Sequence, residues 1–260
     1  MSGSLTIVIP TYNEEGNIVD MSKCLRKMYP EFHILYMDDN STDKTKELVE
    51  GLADPLTNIK VRNGPRGLAA SVMQGFVECG TDYFVCMDCD FQHPPSAIKG
   101  IYESLETGAD LCVGTRDDRK ALGFVRWAGS WAFNILADSY LFFHGKKHTE
   151  DIMSGLFGGR CDVYVPVIKE NWQELELTGW KVLIDLLKFG PKNVKISKYK
   201  YKFGKRQNGN SKISPMVVVT SFYQCGAFGH FGARIYSAIK SQDWKTYKEA
   251  KKNQGPYPFD

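Results

Sequence analysis

Five short apolar runs, separated by intervals of helical length, constrain the fold of this 260-residue chain more than any other feature. The runs cover residues 5–9, 32–37, 58–61, 82–87 and 109–114. Strands that alternate with helices are typical of a mostly parallel sheet with helices on its faces. Such strands are buried on both sides, which explains why the runs are apolar throughout. The sequence therefore predicts an α/β fold.

Polar residues follow four of these runs. The segments are "PTYNEE" after the first run, "DDNSTD" after the second, "DCDFQH" after the fourth and "TRDD" after the fifth. Ligands of open α/β sheets bind beyond the carboxyl ends of the strands. We therefore expect a binding site at this edge of the sheet.

The pattern changes near residue 120. Helices are predicted over residues 122–143 and 179–190, and the run 191–212 is basic and contains no acidic residue. We expect one domain to end at residue 212 and a helical appendage to cover residues 213–260. The recurring Gly226, Gly229 and Gly232 in that appendage favour a helix at a membrane interface, or one packed on the protein's own core or within a dimer.

Charge and cysteine content limit the compartment and the partners. A formal net charge of +3 is too small to indicate a nucleic-acid partner. Seven scattered cysteines, an odd number, predict reduced thiols in the cytoplasm. No basic lead precedes the first apolar run, so no signal peptide is predicted. The sequence contains no run of 18 apolar residues, so no membrane span is predicted either.

Two acids, Asp88 and Asp90, lie directly behind the fourth apolar run. On an extended segment, side chains two residues apart share a face, so both carboxylates can point at one position. Mg²⁺ and Mn²⁺ prefer oxygen ligands, and Mg²⁺ sites commonly combine one or two carboxylates with substrate phosphates. Gln92 could add an amide oxygen if the segment stays extended. The plain alternative is that Asp88 caps a turn and Asp90 is solvated.

Other phosphate and catalytic motifs are absent. The sequence contains no G-x-x-x-x-G-K-[ST] loop and no G-x-G-x-x-G after the first run, so a diphosphate would need a metal. The pair of histidines in "HGKKH" (144–148) lacks the acid of a zinc motif and is interpreted as a surface loop. The G-x-S-x-G motif of hydrolases does not occur.

An ordered series of motifs between about residues 5 and 213 resembles a known family. The series includes "IPTYNEEGNI", "YMDDNSTDKT", "MDCDFQHPP", "DIMSGLFGGR" and "FGKRQNGNSKIS". It is similar to family-2 glycosyltransferases with the GT-A fold, and more closely to polyprenol-phosphate monosaccharide synthases of the dolichol-phosphate mannosyltransferase type. The resemblance implies a GT-A catalytic domain over residues 1–212. It also implies inverting transfer of a hexose from a nucleotide-diphosphate sugar, of GDP-mannose or UDP-glucose type, to a dolichyl or undecaprenyl phosphate.

The resemblance also implies roles for individual residues. The residues expected to bind the donor nucleotide are Pro10, Tyr12, Glu14, Asp38, Asp39 and Asp88. The residues expected to hold Mg²⁺ or Mn²⁺ are Asp88, Asp90 and Gln92. The residues expected to bind the acceptor phosphate are Arg116, Arg126, Ser130, Lys181 and Arg206. The expected catalytic residues are Asp90, Arg116 and Asp151. The chain departs from the common D-A-D at Cys89 and from the common D-P-M-S-G at Ile152.

A lipid-phosphate acceptor fits the remaining features. Such a phosphate is already anionic, so no general base is needed to create the nucleophile. The acid-free run 191–212 suits an anionic membrane surface, although a solvated strand and loop is the simpler reading. We therefore expect peripheral contact with the cytoplasmic face of a membrane, with a partner membrane subunit or a homo-oligomer left open.

Two alternative functions remain at this point. The first is a family-2 glycosyltransferase that uses a saccharide hydroxyl as acceptor, with Asp151 as its base. The second is a nucleotide-sugar-binding subunit without turnover, against which the acids Asp88 and Asp90 and the basic Arg206 argue.

Overall fold

The computed structural model describes residues 3–117, 124–204, 206, 220–239 and 244–258, apart from some side chains within the helices. One sheet of seven strands lies within these residues. The strands are β1 (Leu5–Thr11), β2 (His33–Asp38), β3 (Thr57–Val61), β4 (Tyr83–Cys86), β5 (Leu111–Arg116), β6 (Phe157–Arg160) and β7 (Ile196–Tyr201).

Helices connect the strands and follow them. They are α1 (Ile18–Met28), α2 (Thr45–Glu50), α3 (Leu68–Glu78), α4 (Ala97–Glu106), α5 (Phe124–Phe143), α6 (Cys161–Asn171), α7 (Val182–Phe189), α8 (Gly226–Ile239) and α9 (Trp244–Lys252). Helices α5 and α7 fall within the two helical stretches that the sequence predicts.

The strand order is β3-β2-β1-β4-β6-β5-β7. All neighbouring pairs are parallel except those of β6, which runs antiparallel between β4 and β5. The predicted mostly parallel α/β fold is confirmed. Strand β6 and helix α6 are missing from the sequence prediction, because β6 has four residues, two of them glycines, and α6 contains Pro166.

Two hydrophobic cores cover the faces of the sheet. Val8 and Phe84 point to the face covered by α3, α6 and α7. Ile7, Ile9 and Val85 point to the face covered by α1 and α4. Because both faces are closed by helices, the carboxyl ends of the parallel strands are the edge that can hold a ligand.

The chain after residue 220 packs against the part that precedes residue 212. The rings of Phe133 on α5 and Phe222 pack edge to face, with their centres 5.7 Å apart. Those of Trp172 and Tyr257 meet in the same way at 4.9 Å. The C-terminal residues thus contact the core of the protein, which was one of three alternatives for them. No helix in the described part of the chain is long and apolar enough to cross a membrane.

Candidate active site

The loop after β1 carries the first expected donor residues. Pro10 lies in β1, in register with Met37 of β2. Tyr12 follows the strand, and the Arg66 guanidinium lies 3.5 Å from the centre of its ring. The charge of Glu14 helps to raise the pKa of Asp88, so the loops after β1 and β4 lie close together.

Asp38 and Asp39, at the end of β2, have different partners. Asp38 is buried and accepts hydrogen bonds from the backbone N–H of Ser41 at 2.8 Å and from its hydroxyl at 2.5 Å. One oxygen of Asp39 accepts from Arg62 at 2.5 Å, and the other accepts from the N–H of Gly67 at 2.8 Å. Asp39 and Arg62 therefore form a buried ion pair that orders the loop between β3 and α3.

Arg62 is missing from the sequence prediction. It directly follows β3, a predicted strand for which the sequence prediction contains no site residue. Asp38 and Asp39 are expected at the site because they lie at the carboxyl end of a strand. The same argument applies to Arg62.

Asp90 lies in a turn, and Asp88 lies in the irregular stretch between β4 and that turn. Strand β4 ends at Cys86, and Phe91 adopts a left-handed conformation with φ of 63°. A carboxylate oxygen of Asp90 accepts the N–H of Gln92 at 3.0 Å, which closes a local turn of the kind that aspartate favours. The expectation of an extended segment over these residues is therefore wrong.

The pKa values of both carboxylates are raised, although cations lie close to them. The Asp88 side chain is 41% exposed, and its partial desolvation raises its pKa above the usual value, against the opposing charge of Arg206. Burial and the charge of Asp88 together raise the pKa of Asp90. The Arg206 guanidinium lies 2.8 Å from a carboxylate oxygen of Asp90 and 3.2 Å from the amide oxygen of Gln92. Asp90 and Gln92 thus share one cation, although the sequence assigns Arg206 to the acceptor phosphate.

The side chains of Asp88, Asp90 and Gln92 suit a hard divalent cation that also binds oxygens of a ligand. Within the described ranges, no group of three or more His, Cys, Asp or Glu side chains is arranged to bind a metal. Asp88, Asp90 and Gln92 offer oxygen ligands only, which suits Mg²⁺ or Mn²⁺ better than softer metals. Oxygens of a bound diphosphate would complete the coordination, as in many Mg²⁺ sites.

His93 is a buried residue of this site without a role in the sequence prediction. Its Nδ1 accepts the backbone N–H of Asp88 at 3.1 Å, and burial lowers its pKa to about 4. The ring is therefore neutral at pH 7. A Cβ atom on Gly155 would lie 3.0 Å from the ring, so "DFQHPP" and "DIMSG" pack directly on each other. The sequence signal for it is a histidine directly after Gln92, an expected metal ligand.

Two cations lie beside the carboxylates: Lys181, which is buried, and Arg116, whose side chain is partly exposed. The Arg116 guanidinium donates to both oxygens of Asp151, at 3.0 and 3.3 Å, and Asp151 is fully buried. Lys181 is 3% exposed and its ammonium lies 3.3 Å from the carbonyl oxygen of Met153. Burial and the charge of Arg116 lower the pKa of Lys181 to about 7, while Asp151 and Asp88 oppose that shift.

The structure thus brings together most of the residues expected from the sequence. Arg116, Lys181 and Asp151 form one group next to Asp88. Arg126 and Ser130 belong to α5, but their side chains lie outside the described residues. Most of the loop that follows Arg206 lies outside them too.

Solved structures share this fold. Glucosyl-3-phosphoglycerate synthase from Mycobacterium tuberculosis, in complex with Mn²⁺, UDP-glucose and phosphoglyceric acid, superposes with a TM-score of 0.62. The match has 16% sequence identity and covers 86% of this chain and 80% of that one. At this identity the similarity shows the fold alone, and it confirms the expected GT-A fold.

Sequence relatives show the family. The dolichol-phosphate mannosyltransferase of Saccharomyces cerevisiae is 31% identical over 235 residues, which are 86% of each chain. The dolichol-phosphate mannosyltransferase of Pyrococcus furiosus is 31% identical over 220 residues, which are 80% of this chain and 59% of that one. The model of the family "Glycosyl transferase family 2" matches residues 6–165. This chain therefore belongs to glycosyl transferase family 2.

Proposed function

We propose that the protein transfers a hexose from a nucleotide-diphosphate sugar to a polyprenyl phosphate. The observation that carries this proposal is the pairing of two charged groups at one edge of the sheet. Asp88 and Asp90 form the acidic group, and the partly exposed Arg116 and the buried Lys181 form the basic group beside it. The first suits a metal with a diphosphate, and the second suits a phosphate acceptor. The names of the mannosyltransferase relatives support the same reaction class.

The donor nucleotide binds, in this proposal, at the ends of β1 and β2. Tyr12 and Glu14 line the nucleotide site. Asp39 fixes the neighbouring loop through its bonds from Arg62 and Gly67. Asp38 holds the turn after β2 through Ser41, so its contribution to donor binding is indirect.

Asp88, Asp90 and Gln92 hold the divalent metal in this proposal. A bound Mg²⁺ or Mn²⁺ supplies Lewis-acid stabilisation of the diphosphate leaving group. Asp90 and Gln92 can bind the metal only after the Arg206 guanidinium leaves them. Arg206 then becomes available to the acceptor phosphate, the role expected from the sequence.

Arg116 and Lys181 bind the acceptor phosphate, whose oxygen attacks the anomeric carbon opposite the leaving group and inverts the configuration. Asp151 orients Arg116 for bidentate contact with that phosphate. Because Asp151 is fully buried and both its oxygens accept from Arg116, it is poorly placed to act as a base. This geometry disfavours the saccharide-hydroxyl alternative, which needs such a base.

We further propose that the enzyme works at the cytoplasmic face of a membrane. Phe142 and Phe143, at the end of α5, are 71% and 82% exposed. Lys192, in the basic run, lies near Gly145 just beyond them. Exposed aromatic rings beside lysines suit the interface of an anionic membrane, where the lipid acceptor would be found.

One assay tests the reaction. The purified protein is incubated with a panel of nucleotide sugars, Mg²⁺ or Mn²⁺, and either a polyprenyl phosphate or the matched unphosphorylated polyprenol. We expect a lipid-phosphate sugar from the phosphate only, and no product after EDTA treatment. Efficient glycosylation of a saccharide hydroxyl would support the alternative transferase. Nucleotide binding without transfer to any acceptor would support a binding subunit.

A further inference from the structure

The C-terminal segment, residues 244–258, contacts the loop between α6 and α7. We propose that it positions the active site through this loop, residues 172–181, which we call the bridging segment. The inference rests on the proposed function for what the site binds. Residues 213–260 would then have a different role from the one expected for them. A helical appendage that only contacted the membrane would not fix the position of active-site residues.

The bridging segment caps the N-terminus of α3. The first N–H groups of a helix lack partners within it, and α3 has no side-chain cap. Ala69 instead donates to the carbonyl oxygen of Gly179 at 3.0 Å, and Ala70 donates to that of Leu177 at 3.1 Å. The start of α3 therefore depends on the position of the bridging segment.

The start of α3 is joined to the donor side of the site. The N–H of Gly67, the residue before α3, donates to Asp39 at 2.8 Å. A Cβ atom at Gly67 would lie 2.2 Å from the carbonyl oxygen of Leu177, so the two backbones are in direct contact. A displacement of Leu177 would therefore displace Gly67 and its hydrogen bond to Asp39.

The other end of the bridging segment is the acceptor side of the site. It ends at Lys181, whose ammonium is close enough to Arg116 and Asp151 for their charges to shift its pKa. The amide of Gln224 donates to the backbone carbonyl of Lys181 at 3.2 Å. One short segment thus contacts both the donor loop and the acceptor group.

Side chains of the C-terminal segment bind the middle of the bridging segment. The Lys251 ammonium donates to the carbonyl oxygen of Leu175, which also accepts from the Gln254 amide at 3.0 Å. The Tyr247 hydroxyl donates to the Glu176 carboxylate. The C-terminal segment therefore holds two consecutive residues of the bridging segment.

Water replaces these contacts poorly, because Leu175 and Glu176 are 1% and 2% exposed. Without Lys251, the Leu175 carbonyl loses its charged donor and keeps only the neutral bond from Gln254. The second oxygen of Glu176 accepts the N–H of Thr178 at 3.2 Å. Glu176 therefore links Tyr247 to the part of the segment that caps α3.

Hydrogen exchange of the parent and two variants tests the inference without any substrate. Lys251→Met removes the donor to Leu175 but keeps most of the aliphatic stem, and Lys252→Met changes the exposed neighbour as a control. We expect amides of residues 67–72 and 172–181 to exchange about ten-fold faster in Lys251→Met only, because a buried bond to a charged donor is lost. Lys251→Arg retains a donor and should restore slow exchange.

Two results would overturn the inference. One is unchanged exchange over residues 67–72 in Lys251→Met, and the other is equal acceleration in Lys252→Met. If Lys251→Met does not fold, Tyr247→Phe removes one hydroxyl from Glu176 with the packing kept, and the same criteria apply to it.

Donor affinity provides a second readout. Calorimetry with a nucleoside diphosphate and Mn²⁺, well below the unfolding temperature, should show at least five-fold weaker binding, by order-of-magnitude estimate, to Lys251→Met than to Lys252→Met. Equal affinities would contradict the inference. If the parent binds no nucleotide, the proposed function fails, and the exchange experiment alone decides the role of the C-terminal segment.

Discussion

The Arg116 guanidinium donates two hydrogen bonds to the Asp151 carboxylate, which is fully buried. Asp151 lies in the loop before β6, and Arg116 is the last residue of β5. The ion pair therefore joins two neighbouring strands at the edge where the acceptor phosphate would bind. It leaves the outer side of the guanidinium for a ligand.

We expect Asp151→Leu to destabilise the fold by at most about 3 kcal/mol, because Arg116, which is only partly exposed, would lose its carboxylate partner. Transfer should fall at least ten-fold in the folded fraction, by order-of-magnitude estimate, because the guanidinium loses its orientation. Urea unfolding and initial rates measure the two effects. Glu150→Gln is the control, because Glu150 pairs with Lys198 at an exposed position, where such a pair contributes at most about 1 kcal/mol. Equal losses in both variants would contradict the assignment.

We expect Asp90→Asn to weaken Mn²⁺ binding and to lower transfer at least ten-fold, by order-of-magnitude estimate, because one charged ligand is lost. Electron paramagnetic resonance of free Mn²⁺ measures binding independently of turnover. Asp162→Asn is a matched control, because Asp162 pairs with Arg160 at the opposite edge of the sheet. The metal assignment would be wrong if Asp90→Asn bound Mn²⁺ as the parent does, or if EDTA left transfer unchanged.

The sequence predicts which residues meet at the site because parallel strands end at the same edge of the sheet. Asp39, Asp88 and Arg116 each follow or end a predicted strand, and the structure brings their loops together. No local pattern reveals β6. Its glycines fit because a Cβ atom on Gly158 would lie 2.8 Å from the carbonyl oxygen of Phe84, a contact that exists only in the folded sheet.

The sequence does not predict how the charged residues pair. The partners Asp39 and Arg62 are 23 residues apart, and Arg116 and Asp151 are 35 apart. Any of several arginines could satisfy each carboxylate until the loops take fixed positions. The turn at Asp90 could have been predicted from the sequence, because aspartate favours such turns. The apolar run before it instead suggested that the strand continues.

We expect Cys79 to react with iodoacetamide at lower pH than an ordinary cysteine thiol does. A hydrogen bond from the Cys161 thiol, whose sulfur lies 3.1 Å away, lowers the pKa of Cys79. Peptide mass spectrometry over a pH series measures the rate at this residue. Cys161→Ala removes the donor and should move the midpoint to higher pH, whereas Cys112→Ala should leave it unchanged. An unchanged midpoint in Cys161→Ala would disprove this cause.

We expect the free energy of unfolding of the parent, relative to Glu176→Gln, to fall between about pH 4.5 and 7. Burial raises the pKa of Glu176 from 4.5 to about 7 in the folded protein, against the opposing charge of Lys251. The folded state then binds more protons than the unfolded state in this window, so stability decreases as pH rises. Below pH 4.5 both states are protonated and the effect vanishes.

A shift of this size corresponds to at most about 3.5 kcal/mol above pH 7, at roughly 1.4 kcal/mol per pH unit. Urea unfolding of the parent and Glu176→Gln is measured at pH 5, 6, 7 and 8. The free energy of unfolding of Glu176→Gln should rise relative to that of the parent as the pH increases. Glu174→Gln, which changes an exposed neighbour, should follow the parent at every pH. Parallel curves for the parent and Glu176→Gln would mean that this carboxyl titrates normally. The charge of Lys251 and the hydrogen bond from Tyr247, which both lower the pKa of Glu176, would then offset the effect of its burial in full.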